Sequence, residues 1–85
     1  MHYVYLLKSK NYNELYVGCT NNVVKRLQEH NSGLSNYTKR YLPWKLIYLE
    51  GYRSKNDAYD REKSLKLHAQ GLRRLKERIR DSLQA

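Results

Sequence analysis

The chain has 85 residues, 40% of them hydrophobic, and 17 Lys and Arg against 8 Asp and Glu give it a net charge of +9. That length allows one domain, residues 1–85, and that apolar share excludes a disordered tail. The single cysteine, Cys19, excludes an internal disulfide, and no apolar run suits a signal peptide or a membrane span, so a soluble, cytoplasmic protein is expected.

Residues 3–7 are continuously apolar and β-favouring, which reads as a buried strand. Residues 8–13 are polar, with Asn11 and Asn13 suited to a turn. Residues 14–18 predict a second strand, ending at Gly18 and antiparallel to the first across a longish hairpin loop. Thr20, Asn21 and Asn22 then offer caps for a helix whose apolar stripe is Val23, Val24 and Leu27, and Gly33 is a natural stop after Asn31. Residues 34–43 are mixed and basic, with room for a short helical turn before Pro43, which no helix can continue through. Residues 44–52, partly alternating and rich in Leu, Ile and Tyr, predict a third strand.

Ser54 opens a second strong helix, with Asp57 three residues on as a weak capping-box partner. Ala58, Leu65, Ala69 and Leu72 share one face of it, and Gly71 is expected to break or kink it. From there residues 72–85 read as a basic amphipathic helix. Leu72, Leu75, Ile79 and Leu83 form its stripe, and Arg73, Arg74, Lys76, Arg78 and Arg80 cover its other side. That basic side suits a DNA backbone and equally suits plain solvation. The order is strand, strand, helix, strand, helix, helix, an α+β chain.

Seven basic and three acidic groups leave +4 in residues 1–50, and ten and five leave +5 in residues 51–85, so the excess charge is not a tail. A folded basic domain points to a polyanion, because bound phosphates release condensed counterions. Nucleic acid leads, an anionic membrane surface follows, and a charge serving only solubility is the bland alternative.

Three features carry chemistry. Glu62 falls four residues after Ala58 and three before Leu65, so it projects toward the apolar side of its helix. A carboxylate there needs compensation, from a hard divalent cation or from a salt bridge to a nearby Lys or Arg. Arg26 and His30 lie four apart and share a helix face; Arg can grip a phosphate, and His can move a proton near neutral pH. Tyr5 and Tyr16 sit on adjacent strands where their rings can converge. Their phenols become useful bases or nucleophiles only if positive charge, such as Arg26 or a bound cation, lowers their pKa. Tyr3, Tyr48, Tyr52 and Tyr59 read as packing residues, and Cys19 as a small buried hydrophobe. His2 and His68 have no partner at metal-ligand spacing, and there is no zinc pattern.

Tyr3-Val4-Tyr5, Tyr16-Val17-Gly18-Cys19-Thr20, Arg26 with His30-Asn31-Ser32-Gly33, Tyr37-Thr38 and Arg61-Glu62-Lys63 together resemble the GIY-YIG nuclease domain, and most closely its small stand-alone bacterial proteins. The resemblance covers about residues 2–70. It implies a small antiparallel three-stranded sheet flanked by helices, and hydrolysis of the DNA backbone with Mg²⁺ or Mn²⁺. Tyr5 then matches the tyrosine that deprotonates or positions the attacking water, supported by Tyr16 and His30. Arg26 matches the residue that holds the scissile phosphate, and Glu62 the one that carries the metal. Lys39, Arg40 and Lys45 flank this site as phosphate contacts, with Arg73 and Arg74 as candidates further along the chain.

Two departures stand out. Tyr3 and Val4 occupy the glycine and isoleucine positions of the first motif, and Arg73-Arg74-Leu75-Lys76 stands where some nuclease members carry an asparagine. The expected partner is DNA, whether duplex, branched or single-stranded, with little sequence preference, no membrane and no small-molecule cofactor. The alternative is a nucleic-acid-binding protein that keeps the fold without cutting.

Overall fold

The computed structural model describes residues 1–67 and 69–84; His68, the side chain of Ala69 and Ala85 lie outside the described residues. Three strands, β1 (His2–Ser9), β2 (Leu15–Thr20) and β3 (Trp44–Tyr52), form one antiparallel sheet in the order β2-β1-β3. Four helices accompany it: α1 (Val23–Asn31), α2 (Lys55–Leu67), α3 (Ala69–Arg78) and α4 (Arg80–Gln84). The expected α+β order is present, and the helical turn foreseen before Pro43 is a 3-10 turn, Thr38–Tyr41.

The middle of β1, Tyr3 to Leu7, is apolar because it is the central strand with both faces covered. Val4 and Leu6 face a core built with Val17, Ala58, Leu65 and Leu75. Tyr5 and Leu7 face the other way, into a cluster with Trp44 and the partly buried Tyr16, Leu27, Tyr41 and Leu42. β3 alternates only in part because the pairing steps from Leu6↔Tyr48 to Leu7↔Leu46. That bulge passes over Ile47, and it is what returns Trp44 to the Tyr5 face.

α1 is capped as its sequence suggests: Asn22 Oδ1 accepts the Lys25 N–H at 3.1 Å, and Gly33 closes the far end at φ 83°. Its stripe differs from expectation, since Val24 is 69% exposed and the helix's buried residue is His30. Ser54 caps α2 through a 3.4 Å bond from the Asp57 N–H.

Gly71 does not break the chain; it lies inside α3, packed against the Ser64 carbonyl and Leu65. The stretch expected as one C-terminal helix is two, parted at Ile79, although Leu75 and Ile79 pack on the core as their spacing requires. Tyr59, expected to pack, is 47% exposed beneath the Lys55 ammonium. No helix among the described residues is long and apolar enough to cross a membrane.

Candidate active site

The hairpin builds the first half of the site. Tyr5 pairs across the sheet with Gly18, and Leu7 with Tyr16, so both phenols rise from one face with ring centroids 6.3 Å apart. Gly18 is required by close approach: a Cβ there would stand 2.2 Å from the Tyr5 hydroxyl. Gly18→Ala is therefore expected to expel the phenol and leave the buried His30 Nε2 unpaired, at a cost of about 1–3 kcal/mol. Urea denaturation reads that loss; a variant as stable as the parent would show that the ring has more freedom than its buried position suggests.

α1 supplies the second half. His30 is fully buried, its Nε2 2.9 Å from the Tyr5 hydroxyl and its Nδ1 2.9 Å from Thr38 Oγ1. The Tyr16 ring meets the imidazole edge-on at 4.9 Å. Arg26, one turn earlier, is partly exposed; its Nη1 bonds Glu29 at 3.0 Å, and its guanidinium also bears on the Tyr5 hydroxyl.

Asn31 fixes the loop that carries Thr38. Its side chain accepts the Trp44 N–H at 2.7 Å and donates to the Trp44 carbonyl at 3.0 Å, while the Trp44 indole donates to the Thr38 carbonyl at 2.7 Å. These bonds join the end of α1 to the start of β3 and seat the threonine against the imidazole.

Glu62 of α2 closes the arrangement. Its side chain is 23% exposed and paired with Lys66 at 3.2 Å, and its charge acts on both Tyr5 and Cys19. The Lys66 ammonium also lies 5.4 Å from the centre of the Tyr16 ring. Of the two compensations the sequence left open, the structure shows the salt bridge.

Burial sets the protonation of two groups of the site. Burial drives the Tyr5 phenol up to about 12, outweighing the hydrogen bond and charge of Arg26, so the hydroxyl keeps its proton at neutral pH. Burial, reinforced by the Arg26 charge, holds His30 down to about 4, so the imidazole is neutral rather than half-charged near pH 7. Tyr5 and His30 thus form a neutral, hydrogen-bonded pair.

Tyr5, Tyr16, Arg26, His30 and Glu62 are brought together. Lys39 and Arg40 stand exposed on the 3-10 turn next to Thr38. Lys45 does not flank the cleft: it pairs with Lys8, whose ammonium bonds the Leu83 carbonyl, and so lies on the opposite, helix-covered face. Arg73 and Arg74 are exposed on α3. Sequence reasoning assigned no role to Thr38, Asn31 or Lys66. Lys66 had a signal in its spacing of four from Glu62, and Asn31 and Thr38 stood in the motifs that carry the resemblance.

The sequence model of the GIY-YIG catalytic domain matches residues 1–77. The chain belongs to the GIY-YIG family. A UPF0213 protein of Clostridium perfringens is 45% identical over 67 residues, covering 78% of this chain and 71% of that one. A UPF0213 protein of Staphylococcus haemolyticus is 42% identical over 80 residues, covering 91% and 96%. The solution structure of a UPF0213 protein from Bacillus halodurans is 33% identical, covers 94% of this chain and 82% of its own, and superposes with a TM-score of 0.54. In this GIY-YIG chain the tyrosines of both hairpin motifs and the helix histidine are in ring contact, and the helix arginine and the glutamate of α2 both act electrostatically on the Tyr5 phenol.

Proposed function

We propose that this GIY-YIG domain is a metal-dependent endonuclease that hydrolyses DNA phosphodiester bonds with little sequence preference. The observation that carries the reading is the Tyr5–His30 pair beside Arg26: a buried phenol whose proton has a neutral imidazole to go to. With Nδ1–H donated to Thr38 Oγ1, Nε2 accepts the Tyr5 O–H. Tyr5 then takes a proton from the attacking water as its own passes to His30, so a phenol of pKa about 12 need not ionise beforehand. Arg26, partly exposed, holds the scissile phosphate and answers the charge that builds on it.

Glu62 would hold Mg²⁺ or Mn²⁺, exchanging Lys66 for the ion. The described residues contain no group of three or more His, Cys, Asp or Glu able to hold a metal by themselves. A single carboxylate nevertheless suits magnesium, which completes its shell with water and substrate phosphate. When bound, the ion supplies Lewis-acid stabilisation of the leaving oxygen.

An apolar hollow of about 280 Å³ adjoins the cleft, walled by Leu15, Tyr16, Tyr37, Leu65, Lys66 and Leu72. The half-exposed Tyr37 ring lies 6.0 Å from Tyr16. Such a wall suits an unstacked base, which favours single strands, flaps or branches over plain duplex.

Incubating supercoiled plasmid, plain duplex and flapped duplex with Mg²⁺ or Mn²⁺ tests the function. The wild type is expected to nick DNA, Glu62→Gln to lose at least about a hundredfold in rate, and the flap to be cut faster than the duplex. DNA binding without nicking by either protein would favour the non-cutting alternative, for which the Lys66–Glu62 pair is the structural argument. Equal cutting of flap and duplex would remove the role given to the hollow.

A further inference from the structure

Helix α2 has a second functional side. Glu62 and Lys66 face the cleft, whereas Arg61 and Ser64 project roughly opposite them on the helix. Together with Gln70, Arg74 and Arg78 of α3 they line a cavity of about 520 Å³, and no acidic residue stands among its described lining.

The three guanidinium groups differ in how they are held. Arg61 is fixed by Glu50, which accepts from Nε at 2.9 Å and from Nη2 at 3.0 Å; Nη1 takes no part in that pairing. Glu50 is itself fixed by the Tyr48 and Tyr52 hydroxyls, each at 2.6 Å. Arg61 is therefore preorganised, and little side-chain entropy remains to be lost when it meets a ligand.

Arg74 and Arg78 have no ion pair among the described residues. They stand four apart on one helix face, a like-charge spacing that works against the helix. α3 also begins at this cavity with no acidic residue in its first turn, so its N-terminal backbone adds to the positive field. Glu50 is paired with Arg61 alone of the three, so the cavity keeps an excess of positive charge that suits an anion with several oxygens, which planar guanidinium groups bind in paired hydrogen bonds.

We propose that this cavity seats a phosphate of the same DNA molecule whose scissile phosphate lies in the Tyr5–Glu62 cleft, so that the backbone is held on both sides of α2. The identity of the polyanion rests on the function proposed above. The seat gives the basic side of α3 a specific role: Arg74 and Arg78 belong to it, while Arg73 and Lys76 do not line it.

The test is DNA binding in EDTA, where no cutting occurs, followed by fluorescence anisotropy across a KCl series. Arg74→Gln/Arg78→Gln is compared with Lys76→Gln/Arg80→Gln, which removes the same charge from exposed positions outside the cavity. The cavity pair is expected to weaken binding about tenfold near 0.1 M salt and to flatten the slope of log K against log salt by about 1–2. The control pair is expected to change binding less than about threefold. Equal losses in the two variants, or none in either, would overturn the seat, since the charge would then act without regard to place.

Inorganic phosphate, followed by ¹H–¹⁵N NMR of the backbone amides of residues 70–78, separates the other source. Weak, millimolar shifts displaced by an oligonucleotide support a backbone seat. Saturation at micromolar phosphate, undisturbed by DNA, would instead identify a small-anion site and overturn the proposal. A protein that binds without cutting still passes this test, so failure of the nuclease reading and failure of the seat are told apart.

Discussion

Tyr5→Phe is expected to lower the DNA-nicking rate by at least about a hundredfold, the range for loss of a positioned acid–base group. The phenol ring is 3% exposed and would keep its packing, so only the oxygen is removed. That oxygen is the atom bonded to His30 Nε2, and no other hydroxyl is bonded to this nitrogen among the described residues. The sheet should survive, because Leu6, Leu7 and Trp44 still fill their two cores. Stability should fall by about 1–3 kcal/mol from the unpaired imidazole nitrogen. Single-turnover nicking and urea denaturation of the same preparation separate the two effects. A folded Tyr5→Phe protein that cuts within threefold of wild type would eliminate Tyr5 as the group that takes the proton from water.

Mild acid should weaken the fold through one residue. His30 titrates near 6.5 in the unfolded chain and near 4 in the folded one, held down first by burial and then by Arg26. Between those values the unfolded chain binds more protons, so stability falls as pH drops. The contribution is complete above about pH 6.5, declines steadily below it, and is gone by about pH 4. The full span corresponds to roughly 3 kcal/mol, and the interval from pH 7 to pH 5 to roughly 2 kcal/mol. Glu50 acts in a different window. Its own burial opposes ionisation, but hydrogen bonds from Arg61, Tyr48 and Tyr52 outweigh that and hold it below the ordinary carboxylate range, so its loss comes at lower pH. Denaturation of wild type and His30→Gln at pH 7 and pH 5 isolates the effect: wild type should lose roughly 2 kcal/mol more than the variant. Equal acid losses would mean that the folded protein takes up the imidazole's proton at pH 5 as readily as the unfolded chain, so that burial does not hold His30 neutral.

Much of the fold was legible because the relevant signals are local. The run from Val4 to Leu7 marks a strand covered on both faces, Asn22 and Gly33 mark the ends of α1, and residues 44–52 match β3. Gly71 misled because a glycine's intrinsic cost in a helix is small beside tertiary packing, and α3 carries this glycine against Ser64 and Leu65 of α2. The partial alternation of β3 was visible; the bulge that explains it depends on the partner strand. Lys45 was misplaced for the same reason, since the face on which a strand residue emerges depends on register.

The order of the elements was already decided by composition and periodicity, because these act along the chain, and the five candidate side chains were named by the motifs that carry the family resemblance. Their chemical state was decided only by the folded molecule. A pKa follows from how much water and charge surround a group in space, and nothing in the spacing of Tyr5 and His30 said that both would be buried against each other with Thr38 behind them. The three arginines around one cavity likewise arise where α2 packs beside α3, a contact that no one-dimensional pattern encodes, whereas the Lys66–Glu62 pair follows from a spacing of four on one helix.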